Sequence, residues 1–93
     1  MNTLLISYDL KNANAERYNA INEAIKNISS DYWHGLTTTF IIKTEYTDIA
    51  ICNNLKNVFY SDDKLLVVDI TNTTHSFSPT NGDISLSLSR FLK

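Results

Sequence analysis

One cysteine, one proline and two glycines are all that 93 residues contain of these types. A lone Cys52 excludes an internal disulfide framework and any cluster of cysteine ligands for a metal. No repeat, linker or low-complexity tract appears before residue 72, and Thr71 to Asp83, where Asn, Thr, Ser, Pro79 and Gly82 accumulate, reads as a long connection before a terminal element. No apolar run approaches the ~20 residues needed to cross a bilayer. The opening segment, Met1 to Ser7, has no basic residue and is soon interrupted by Tyr8 and Asp9, so it does not read as a secretory signal. The expectation is a cytoplasmic protein with no membrane association. An excess of positive charge is missing too: eight basic against ten acidic side chains give a formal net charge of −2. Bulk attraction to a nucleic acid or an anionic lipid surface does not follow from that balance.

What is present is ordinary globular material, 43% hydrophobic and 19% charged, in a length that suits one domain. Residues 3–9 alternate, with Leu4, Ile6 and Tyr8 on one side and Thr3, Leu5, Ser7 and Asp9 on the other, which predicts a strand. Asn12 or Asn14 can cap a helix whose apolar stripe is Tyr18, Ile21, Ile25 and Ile28. Residues 32–36 and 38–44 are rich in aromatic and β-branched types and predict two strands with a bend near Gly35. Thr47 and Asp48 form a helix start, followed by the stripe Ile51, Cys52, Leu55, Val58 and Phe59. Leu65 to Ile70 predicts a strand that is apolar on both faces.

The order is β-α-β-β-α-β. It implies an α+β, ferredoxin-like fold: an antiparallel sheet in the order 4-1-3-2 with both helices on one face. Residues 1–71 make that domain, and 72–93 extend it as a loop and a C-terminal segment. Ile84, Leu88, Phe91 and Leu92 fit one helical face with Asp83 as cap, so the segment reads as a helix, although Ile84, Leu86 and Leu88 also alternate as in a strand.

Two helices cover only one side of a sheet. If Leu66, Val68 and Ile70 face the helices, the other side carries Leu5, Ser7, Thr39, Ile41, Leu65 and Val67. That is a large apolar surface for a small monomer and calls for a cover. The C-terminal segment, a second copy of the chain and a different protein can each supply one. A twofold homodimer through Leu5, Ser7, Ile41, Leu65 and Val67 is the expected arrangement.

The first strand ending in ISYDL (Ile6 to Leu10), the LLVVDI of the fourth strand (Leu65 to Ile70) and the order of elements resemble the CRISPR-associated protein 2 family. The Tyr32-Trp33-His34 sequence is similar to that of its uncharacterised bacterial relatives, and the plan is similar to virulence-associated protein D toxins. The resemblance covers residues 3–71. It implies a homodimer in which an aspartate ending the first strand, here Asp9, binds a divalent metal such as Mg2+ for cleavage of RNA or DNA. It equally implies a non-catalytic role as a structural bridge. The chain departs from the better-known members in having only Arg17 in the first helix where they are arginine-rich, in lacking their usual second-strand pattern, and in its acidic balance.

Read for chemistry, Asp9 is the leading catalytic and metal-ligating residue, because Mg2+ needs only one or two protein carboxylates when a phosphate supplies oxygens. An aspartate at a strand end is also an ordinary turn residue. With the first and third strands taken as parallel, Glu45 would leave the sheet beside Asp9, joined by Asp31, Asp62 and Asp63, with Asp69 at the other end. His34 is a candidate general base, since an imidazole titrates near neutrality. Lys11 and Arg17 are placed to reach a phosphate, and Trp33 with Tyr32 to stack on a base, anchor a dimer or simply pack. His75 sits in a Ser/Thr-rich stretch and carries no assignment. The enzyme expectation is a Mg2+-dependent endoribonuclease or nuclease. The opposing expectation is a non-catalytic dimeric module that regulates or inhibits by binding a protein or a small ligand.

Overall fold

In the computed structural model, residues 1–73, 88 and 90–92 are described. The elements are β1 (Asn2–Asp9), α1 (Ala15–Asn27), β2 (Asp31–Leu36), β3 (Thr39–Thr44), α2 (Asp48–Leu55) and β4 (Lys64–Asp69). A single 3-10 turn, Lys56–Val58, follows α2. The sheet order is β2-β3-β1-β4, and every neighbouring pair is antiparallel. This is the ferredoxin-like α+β plan that the sequence predicts.

Local chemistry explains where the helices begin. The Asn14 side chain accepts the Arg17 N–H at 2.9 Å and caps α1. Thr47 does the same for the Ala50 N–H at 3.2 Å and caps α2. Asn12 takes the left-handed conformation, φ 55°, that asparagine tolerates, and lets the chain turn from strand to helix. Leu4, Ile6 and Tyr8 of β1 and Phe40 and Ile42 of β3 meet Ile21 and Ile25 of α1 and Ile51 and Leu55 of α2 in the main core. Both helices therefore lie on one face. The α2 stripe stops earlier than its spacing suggests. After Leu55 the backbone tightens into the 3-10 turn, three residues per turn instead of 3.6, and Val58 is rotated out to solvent while Phe59 packs on the core.

The far face differs from expectation in which residues of β4 it carries. Ile6 pairs with Val67 and Tyr8 with Leu65, so Leu65 and Val67 share the helix face and pack against the main core. Leu66, Val68 and Ile70 are the far-face residues. A strand apolar at every position has no alternation to show which side is inward, and only its register against β1 decides. Across the sheet, one far-face row is Trp33, Ile41, Leu5 and Val68, and the next is Leu36, Thr39, Ser7 and Leu66.

Part of this face is covered by the chain itself. Residues 88 and 90–92 are helical, as the periodicity predicts. Leu88 is buried against Trp33 and Ile41, and Phe91, Leu92 and Ile70 complete this second cluster. The Lys43 ammonium lies 4.8 Å from the Phe91 ring centroid. Asp83 and Ile84, expected to open this helix, and His75 lie outside the described residues.

Candidate functional site

The antiparallel pairing of β1 with β3 corrects the expected convergence of acids. Asn2 pairs with Thr44 and Ser7 with Thr39, so Glu45 leaves the sheet beside Asn2, at the end opposite Asp9. Asp31 pairs with Lys43 and belongs to that opposite end too, as does Asp69, which pairs with Leu4. Only Asp62 and Asp63 remain on the Asp9 side. Parallel strands would have put Glu45 there, but consecutive antiparallel steps reverse the direction of β3.

Asp9 itself is exposed at the end of β1, opposite Lys64. Its neighbour Asp63 is already committed. The Asp63 side chain is 1% exposed, and its Oδ2 lies 2.6 Å from the Arg17 guanidinium. The same oxygen accepts the Tyr60 N–H at 2.7 Å, and Oδ1 accepts the Lys11 N–H at 3.1 Å. Hydrogen bonding to Arg17 is the main reason that the carboxyl is held down at about 2, with the Tyr60 and Lys11 amides adding to it against the opposing effect of burial. Arg17 also donates to the Val58 carbonyl at 3.3 Å and stacks 3.7 Å from the Tyr60 ring centroid. Its guanidinium is thus an internal tie between the α1 entrance and the turn before β4. Lys11 contributes its backbone N–H to that tie and keeps an exposed position for its ammonium.

This arrangement does not fit a Mg2+ centre within one chain. Asp63 is neutralised by Arg17, and Glu45 and Asp31 are at the other end. Among the described residues no group of three or more His, Cys, Asp or Glu side chains is placed to hold a metal ion.

Trp33 and His34 point to opposite faces of β2. Trp33 is 6% exposed, beneath Leu88, and its indole also lies against the backbone of Gly35, so its ring is not presented to a base. The aromatic is an anchor, but for the C-terminal residues of its own chain. His34 stacks on Phe40 with centroids 3.8 Å apart and planes 14° apart, and its Nε2 lies 2.9 Å from the Thr37 carbonyl oxygen. Asp9, Lys11 and Arg17 are grouped at the β1–α1 connection, as the sequence suggests; His34 and Trp33 belong to the edge strand β2.

Of the expected interface residues, Ile41 is covered by Leu88, Leu65 and Val67 face the helices, and Leu5 and Ser7 are half-buried on the far face. Ser7 Oγ and Thr39 Oγ1 share a hydrogen bond at 3.2 Å. The apolar side chains that stay open are Leu36 (46% exposed), Leu66 (56%) and Val68 (39%), which the register sets around that hydroxyl pair. A cleft of about 500 Å3 lies at the sheet end away from Asp9, between the end of α1, the end of β3 and α2. Sequence reasoning expected an open apolar far face but put the wrong residues of β4 on it, and it missed the cleft. The first depends on β4 parity, and the second on residues 27–30, 44–46 and 50–54 meeting in space.

A scan against protein-family models finds no match for this chain, and no curated protein matches it. The likeness to the CRISPR-associated protein 2 family therefore stands on ISYDL, LLVVDI, Tyr32-Trp33-His34 and the element order alone.

Proposed function

We propose that the protein is a non-catalytic binding module that acts as a homodimer through the open part of its far face. The observation that carries this reading is the exposure of Leu36, Leu66 and Val68 on one side of the sheet, beside a region that the C-terminal residues already cover. Apolar side chains grouped on a sheet are stabilised when another surface removes them from water, by about 25 cal/mol per Å2. A twofold contact buries the same patch twice. The commitment of Arg17 to Asp63 supports the non-catalytic side of the reading, because the cation nearest Asp9 in the first helix is occupied internally.

Light scattering over a range of concentrations tests the association. A species of twice 10.6 kDa that Leu66→Glu converts to the monomer, with an unchanged circular dichroism spectrum, supports the dimer. A monomer at every concentration removes it. Nuclease action is tested on the same preparation with single-stranded RNA and DNA, with Mg2+ or chelator, beside Asp9→Ala. Metal-dependent cutting that is lost in the variant overturns the non-catalytic reading.

A further inference from the structure

The cleft at the far end of the sheet has a chemistry of its own, independent of the dimer reading. Its base is Thr44, the buried polar residue among those described, whose hydroxyl donates to the Ile28 carbonyl at 3.4 Å and accepts the Tyr46 N–H at 3.2 Å. Asn2 adds a second hold on the same bend, donating from its side-chain amide to the Tyr46 carbonyl at 2.9 Å. The backbone that carries Glu45 and Tyr46 is therefore fixed from two sides, while both residues remain exposed at the cleft. Preorganised polar groups bind at lower entropic cost than mobile ones.

The charge lining this space has one sign. Among the described residues, Glu45 is the only ionisable acid or base lining it apart from the Tyr46 phenol, and no lysine or arginine is among them. Asn27 and Ile28, at the carbonyl end of the 13-residue helix α1, form one wall. Ser29 caps this end, its hydroxyl donating to the Ile25 carbonyl at 2.7 Å and its N–H to the Lys26 carbonyl at 3.2 Å, so what the helix offers a cation is the negative end of its dipole. Lys26, the basic residue in that last turn, is turned aside toward Glu23 at 3.5 Å and the Tyr32 ring at 5.5 Å. Tyr46 brings an exposed aromatic ring, whose face attracts a cation. Asn54 on α2 faces the same space with an amide oxygen able to accept.

We infer that this cleft binds a protonated aliphatic amine, with the ammonium between the Glu45 carboxylate and the carbonyl end of α1 and the alkyl chain against the exposed Tyr46 and Ala50. A phosphate or carboxylate ligand meets no cationic side chain there among the described residues. The amine site is distinct from Asp9, at the opposite end of β1, and from the far-face patch.

Putrescine is the probe, titrated into the 15N-labelled full chain at low salt and followed by amide shifts. Saturable shifts confined to residues 27–30, 44–46 and 50–54 are expected. Glu45→Gln should weaken binding by roughly tenfold or more, as the loss of a charge-assisted hydrogen bond does. Tyr46→Leu should weaken it by a smaller factor, and both positions are exposed enough to leave the fold intact. Equal shifts from potassium chloride at matched ionic strength, equal binding of a neutral diol, or an unchanged affinity in Glu45→Gln each overturn the proposal.

Discussion

The Arg17 guanidinium and the Asp63 carboxylate, 46 positions apart in the chain, meet at 2.6 Å with the acid sealed from solvent. Three donors converge on Asp63: Arg17, the Tyr60 N–H and the Lys11 N–H. The pair joins the β1–α1 connection to the turn that feeds β4, the places where the chain leaves β1 and enters the edge strand beside it. A sealed carboxylate that loses its partner is left uncompensated. Arg17→Met should therefore lower stability. Urea unfolding followed by circular dichroism measures it, and a loss below about 0.5 kcal/mol would mean that the tie is ornamental.

The same carboxyl sets an acid limit. Asp63 titrates at about 2 in the folded chain, against its ordinary 3.8. A group held below its unfolded value stabilises the fold fully above the unfolded pKa and loses that contribution as pH falls through the folded one. The window is about pH 4 down to pH 2, and the amount at stake is about 2 kcal/mol. Asp63→Asn should start less stable at pH 7 and show a flatter fall across that window. Melting temperatures at half-unit steps between pH 5 and pH 2 would reveal it; parallel curves for the two proteins would contradict the assignment.

The Arg17 guanidinium also sits 3.7 Å over the Tyr60 ring centroid, and a delocalised plane is not replaced by a point charge. Arg17→Lys keeps the ion pair with Asp63 but loses the stacking and the second hydrogen bond to Val58. A loss clearly smaller than for Arg17→Met is expected. Equal losses in the two variants would show that charge alone is not what Asp63 requires.

None of this pairing was visible in the chain, and the reason is physical. Local signals act over a few residues: Asn14 and Thr47 announce helix starts, the alternation of Leu4, Ile6 and Tyr8 announces an inward face, and the four strands and two helices follow from them. Asp63 sits in a Ser-Asp-Asp turn that resembles any solvated turn, and only the fold brings Arg17 to it. The face of β4 was illegible for a different reason. Leu65 to Val68 are apolar at each position, so hydrophobicity holds no parity, and the pairing of Ile6 with Val67 supplies it. Trp33 was legible as an anchor without its partner, because Leu88 is 55 positions away.

Gly35 owes its place to that tryptophan. A Cβ on Gly35 would overlap Cζ2 of Trp33 and stand 2.7 Å from Cη2. These are atoms of a rigid ring that is itself buried, so the indole must move to admit even a methyl group. Gly35→Ala should cost about 1–3 kcal/mol, as overpacking does. Thermal melting gives the loss, and near-ultraviolet circular dichroism reports the displaced indole. Wild-type stability with an unchanged spectrum would mean that β2 shifts freely around its bulge.

Trp33 is the chain's only tryptophan, which makes it a clean reporter of the far-face cover. Leu88 lies over it and over Ile41, both nearly sealed. Leu88→Ala removes the buried member of that cover and leaves space above the indole. Deleting a buried leucine side chain costs about 2–5 kcal/mol when the site cannot collapse, and an edge-strand site can relax toward the low end. The emission of Trp33 should move to longer wavelength as water reaches the ring, and acrylamide should quench it more strongly, while far-ultraviolet circular dichroism stays that of the β-α-β-β-α-β core. Removing the C-terminal residues from 84 onward should enlarge both effects. If emission and quenching are the same in Leu88→Ala as in the parent, the C-terminal residues do not seal Trp33 in solution, and the ring returns as a surface for a partner.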